Sequence, residues 1–83
     1  MKVKHTLQAH AICPVDKKKD TYELIVETSS VIPVEKILEK VEQLKDETMY
    51  QEDLTVELAR HLCVKVTTIG YHSGVKSEVI VNG

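Results

Sequence analysis

The spacing of apolar residues changes period twice along this chain, and that alone leaves few folds open. From residue 2 to residue 11 the side chains alternate: Val3, His5, Leu7 and Ala9 take one face, while Lys2, Lys4, Thr6, Gln8 and His10 take the other. A period of two marks a strand with one face buried. Ala11 and Ile12 carry it to Cys13-Pro14, and a proline cannot donate to a strand ladder, so the strand ends there. Alternation resumes over residues 21–28, with Tyr22, Leu24 and Val26 on one face and Glu23 and Glu27 on the other. The charged stretch from Asp16 to Asp20 reads as the loop of a hairpin longer than the tightest types.

After Ser29-Ser30 the period lengthens. Val34, Ile37, Leu38, Val41 and Leu44 recur at helical spacing behind Pro33, a residue tolerated in a first helical turn. A second helix is expected from about Thr48, because Thr48-x-x-Gln51 reads as a capping box. Leu54, Leu58 and Leu62 form its apolar stripe, and Glu52 and Asp53 suit the positive end of the helix dipole. The period then returns to two. Val64, Val66 and Thr68 alternate with Lys65, Thr67 and Ile69, and Val75, Ser77, Val79 and Val81 alternate with Lys76, Glu78 and Ile80, with Tyr71–Gly74 as the hairpin between them. The order is ββααββ. It specifies an α+β domain spanning residues 1–83, an antiparallel four-stranded sheet with both helices on one face.

Size and composition add limits. The chain has 83 residues, no Trp and no Phe, so Val, Ile and Leu must build the core. So small a core favours self-assembly, and the edge strands are apolar enough to meet neighbouring copies. The formal net charge of -2 excludes a globally basic nucleic-acid surface, although Lys17-Lys18-Lys19 forms a local one. No stretch is apolar and long enough to span a bilayer, so no membrane association is expected. Two cysteines make no disulfide framework, and a cytoplasmic location with free thiols is expected.

Cys13 is the leading candidate for chemistry. It ends a strand beside a basic loop, and nearby lysines favour the reactive thiolate; a small packing residue is the alternative. Asp20, seven residues on, stands at the far side of the same hairpin and could supply a proton, or be an ordinary turn aspartate. Glu52 could accept paired hydrogen bonds from an amide and amino edge, or serve only the helix dipole. Gln51 could join it or act as a cap. Cys63 reads as core filler. His10-x-x-Cys13 and His61-x-Cys63 match no standard zinc spacing, so no metal is expected.

Cys13-Pro14-Val15-Asp16-Lys17-Lys18-Lys19-Asp20 resembles the Cys-Pro-x5-Asp loop of the QueF family, tunnel-fold enzymes acting on 7-cyano-7-deazaguanine. Met49-Tyr50-Gln51-Glu52-Asp53 looks like that family's His-Glu-Asp helix start, and Val64–Val75 is similar to its last hairpin. The resemblance covers nearly the whole chain. It implies a tunnel fold whose subunits assemble into rings and stacked rings, forming oligomeric barrels with sites at subunit interfaces. It also implies roles: Cys13 adds to the substrate nitrile to form a thioimide, Asp20 donates a proton, and Glu52, with Gln51 beside it, holds the base.

Two departures refine this. The reductase branch carries a Glu-Ser-Lys-Ser segment linked to NADPH; the corresponding stretch here, Val34–Lys40, lacks it. The resemblance therefore implies the short archaeosine-forming branch, an amidinotransferase that needs no cofactor. Its partners would be 7-cyano-7-deazaguanine within tRNA and ammonia or an ammonia donor. Gln51 also stands where the family has histidine, and an amide does not shuttle protons at neutral pH. The alternatives are an NADPH-dependent nitrile reductase and a non-catalytic tunnel-fold subunit.

Overall fold

The computed structural model describes residues 1–83. Six elements follow one another: β1 (Val3–Ile12), β2 (Lys19–Thr28), α1 (Val34–Leu44), α2 (Gln51–Leu62), β3 (Lys65–His72) and β4 (Val75–Val81). The sheet is antiparallel, with strands in chain order. The expected ββααββ architecture is therefore the observed one. α1 packs on β1 and α2, and α2 packs on β3 and β4.

The alternating strands bury the faces their periods specify. Ala9 and Ala11 of β1, Tyr22, Leu24 and Val26 of β2 and Val66 of β3 meet Ile37, Val41 and Leu44 of α1 and Leu54, Leu58 and Leu62 of α2. Aliphatic chains supply almost all of this core, as the lack of Phe and Trp requires. Tyr22 is its one aromatic ring.

Several boundaries differ from expectation, each for a local reason. β2 begins at Lys19, so Asp20 lies within the strand opposite Ala11 rather than in the loop. The loop closes early because the Cys13 N–H donates to the Lys18 carbonyl at 2.8 Å. α2 begins at Gln51, with Tyr50 as its N-cap and no side-chain cap. Thr48 makes no capping box, because it pairs with Ile12 as an isolated bridge. Val34 and Leu38 share the helical spacing of α1, yet both are exposed beside the buried Ile37, Val41 and Leu44.

Cys63 is not core filler: it is exposed at the end of α2 in a left-handed conformation (φ 57°), with its thiol donating to the Arg60 carbonyl. The last hairpin is tighter than expected. Tyr71 and His72 belong to β3, and Ser73-Gly74 alone form the turn, both with positive φ (51° and 79°). Such a pair is a type I′ turn, whose twist matches the strands it joins. No helix is long and apolar enough to cross a membrane.

Leu58 is wholly buried between α2 and the sheet. Leu58→Ala is expected to destabilise the protein by about 2–5 kcal/mol, the range for a leucine-sized core deletion. Chemical denaturation checks this.

Candidate active site

The end of β1 is tied to the α1–α2 connection through backbone alone. The Ile12 N–H donates to the Glu47 carbonyl at 2.9 Å, and the Met49 N–H donates to the Ile12 carbonyl at 3.0 Å. One residue of β1 thus pairs in parallel with Thr48, outside the main ladder. Cys13 follows Ile12 directly and Tyr50-Gln51-Glu52 follow Met49 directly, so this bridge sets the strand end against the start of α2.

A second feature opens space beside it. Pairing between β2 and β3 ends at Glu23–Ile69. Were the ladder to continue, Tyr22 would face Gly70. The Tyr22 ring instead lies over Gly70 so closely that a Cβ there would come within 2.5 Å of its Cδ1. Beyond this point β2 pairs only with β1.

The result is a cleft of about 380 Å³. Cys13, Pro14, Val15 and Asp16 form one wall, Asp20 and Tyr22 a second, and Met49–Glu52 a third; His72, Ser73, Ser77 and Val79 close it from the last hairpin. All four residues singled out in the sequence, Cys13, Asp20, Gln51 and Glu52, line this one space. Cys13 and Asp20 are half-buried, Glu52 is exposed and Gln51 is buried. Lys17 and Lys18 are exposed on the loop between Cys13 and Asp20, and Lys19 is exposed at the start of β2.

Two similarities bear on what this cleft is. An archaeosine synthase of Pyrobaculum calidifontis is 28% identical over 83 aligned positions, covering 88% of this chain and 76% of the relative. A crystal structure of the archaeosine synthase QueF-Like in its apo form matches with a TM-score of 0.88 at 26% identity, covering 96% of this chain and 90% of that one. This chain has the tunnel fold of that QueF-like archaeosine synthase. No family model matches it.

Within this fold the amide nitrogen of Gln51 is committed to the structure. Its Nε2 donates to the main-chain carbonyls of Thr68 (3.1 Å) and Ser77 (3.0 Å) and to the Thr68 hydroxyl (3.2 Å). Carbonyls only accept, so the amide has one orientation. The Thr55 hydroxyl donates its single hydrogen to the Gln51 carbonyl, so the Thr68 hydroxyl must donate to Thr55 at 2.6 Å. The donors that sequence reading assigned to a ligand are thus spent on β3 and β4. Only Oε1 lacks a protein partner, and it is not sealed from solvent.

The carboxylates differ as well. The Lys18 backbone N–H, bonded to Asp16 at 3.0 Å, holds the Asp16 carboxyl below the usual range, and the Cys13 thiol adds a weaker hydrogen bond; partial desolvation opposes both. A carboxylate held low is a poor base. Asp20 instead accepts a hydrogen bond from the Tyr22 hydroxyl at 3.3 Å. Burial, then the charge of Asp20 and the bond to it, push the Tyr22 hydroxyl far above its ordinary range, so it remains a donor. Sequence reading treated Tyr22 only as core. The signal was available: Asp20-x-Tyr22 places both side chains on one face of a strand.

Gln51→Met keeps the length of the side chain and removes its donors. The carbonyls of Thr68 and Ser77 then lose a partner, and stability is expected to fall by roughly 1–3 kcal/mol. Urea denaturation of the two proteins measures the difference.

Proposed function

We infer that this chain is an amidinotransferase that converts the nitrile of 7-cyano-7-deazaguanine, carried in RNA such as tRNA, to the formamidine of archaeosine. The observation that carries this reading is the convergence of Cys13, Asp20 and Glu52 on one cleft, in a chain similar throughout to archaeosine synthases.

The chemistry follows from the groups present. The Cys13 sulfur bonds to the nitrile carbon, one π bond of the nitrile breaks, and the nitrile nitrogen takes a proton delivered by Asp20. The thiol proton passes to Asp20 and replaces the one delivered, so Asp20 ends as it began and the step is the net addition of S–H across the carbon–nitrogen triple bond. Ammonia then bonds to the thioimide carbon, the carbon–sulfur bond breaks, and the thiol regains its proton as the amidine leaves. No electron is transferred, and no cofactor is required.

A thiolate is a strong nucleophile even at low fractional ionisation. Holding it against the nitrile can remove about 7 kcal/mol or more of the barrier in favourable cases. Proton delivery by a placed acid adds ~10²–10⁴-fold. The two oxygens of Glu52 match the adjacent N–H groups of the base's amide and amino edge. The cleft is of a size that takes small ligands.

Lys17–Lys19, exposed and lying in sequence between Cys13 and Asp20, are the cations this reading assigns to the phosphates of the substrate strand. A net charge of -2 makes this local patch, multiplied by assembly, the natural polynucleotide contact. Assembly itself is favoured by two unpaired sheet edges, β1 and β4, and by exposed Val75 and Ile80. A neighbouring copy would cover the exposed Glu52 and complete the cleft. A catalytic thiol that must stay reduced suits the cytoplasm.

Intact mass spectrometry tests this. Protein mixed with 7-cyano-7-deazaguanine is expected to gain the mass of one nitrile substrate per chain, and Cys13→Ala to gain none. Ammonium added to the adduct should release the amidine without consuming NADPH. Absence of any adduct on the wild-type protein contradicts the reading.

A further inference from the structure

We propose that Tyr22 is a positioning residue that fixes which oxygen of Asp20 faces the reacting nitrile. The proposal rests on the nitrile-adding reading above and assigns a task to a side chain otherwise placed only in the core.

Three observations carry it. The Tyr22 hydroxyl has Asp20 Oδ2, at 3.3 Å, as its hydrogen-bond partner. The Tyr22 ring cannot give way: it is 2% exposed, and it lies against Gly70 closely enough to exclude even a methyl group. Both residues line the cleft that holds Cys13. A phenol with one hydrogen, held by a fixed ring, donates in one direction. Asp20 Oδ2 receives that hydrogen, so the proton that Asp20 relays during addition travels on Oδ1. Without the phenol the carboxyl can turn about its terminal bond, a broad torsion with little intrinsic preference, and the proton is presented in several directions. Gly70 belongs to the same device, since any larger residue there displaces the ring.

The test is the rate of thioimide formation with 7-cyano-7-deazaguanine, followed by quenched intact mass, for wild type, Tyr22→Phe, Asp20→Asn and the double variant. Tyr22→Phe removes one oxygen and keeps every ring contact, and thermal denaturation checks that it folds. We expect the maximal rate of Tyr22→Phe to fall about tenfold, part of the 10²–10⁴ that a placed acid contributes, with half-saturation by nitrile unchanged. In the Asp20→Asn background the same change should have no further effect, because the two residues act as one unit. A wild-type rate in Tyr22→Phe, or an equal fall with and without Asp20, overturns the proposal while leaving the nitrile chemistry intact. A wild-type protein that forms no adduct overturns the nitrile-adding reading and this proposal with it. A crystal structure of Tyr22→Phe gives an independent reading: several Asp20 rotamers support the proposal, and one unchanged rotamer contradicts it.

Discussion

Two backbone hydrogen bonds on either side of Ile12 hold the site together. They pair the last residue of β1 with Thr48, in the connection between the helices, and so join segments about 35 residues apart in sequence. No side chain is needed for this pairing, which leaves the neighbouring side chains free. Cys13 on one segment and Gln51 and Glu52 on the other then face a common space. The proline after Cys13 ends the strand, and the Cys13–Lys18 hydrogen bond closes the loop over the next five residues. Asp20 comes back into register two residues beyond that closure.

The polar groups around the cleft divide into those the fold consumes and those it leaves open. The Nε2 group of Gln51 and the hydroxyls of Thr55 and Thr68 are taken up by one another and by main-chain carbonyls between α2 and the sheet. Asp16 is taken up by the backbone of its own loop. Tyr22 is spent on Asp20. Cys13, one oxygen of Asp20, Oε1 of Gln51 and the carboxylate of Glu52 remain at the cleft, the last three without a protein partner. The proposed reaction draws on that remainder for a nucleophile, a proton carrier and a paired acceptor. Gln51 fits the division, because its amide nitrogen serves structure.

Much of this was legible in the sequence, and the failures share a physical cause. The strand and helix faces followed from spacing, since burial of one face enforces a period of two or 3.6. Cys13, Asp20 and Glu52 were singled out from their order, and the fold brings them to one cleft. Thr48 was misread because a capping box is a local pattern, whereas its backbone is claimed by Ile12, far away in sequence. The structural bonds of Gln51 were invisible for the same reason: the acceptors of its amide lie on β3 and β4, 17 and 26 residues away. Cys63 and Leu38 were expected inside on composition and spacing, yet a helix end and the margin of an apolar stripe both face solvent. Tyr22 shows the opposite error, a hydrogen bond to Asp20 at the cleft hidden within a correct core assignment.

The account depends on the thiol of Cys13 reaching a base that Glu52 holds. A crystal structure of the protein with 7-cyano-7-deazaguanine measures this directly. Continuous density from the Cys13 sulfur to the former nitrile carbon, with the Glu52 carboxylate on the amide and amino edge of the same base, is the expected result. A base bound elsewhere, or seated in the cleft with its nitrile turned away from the sulfur, would contradict it.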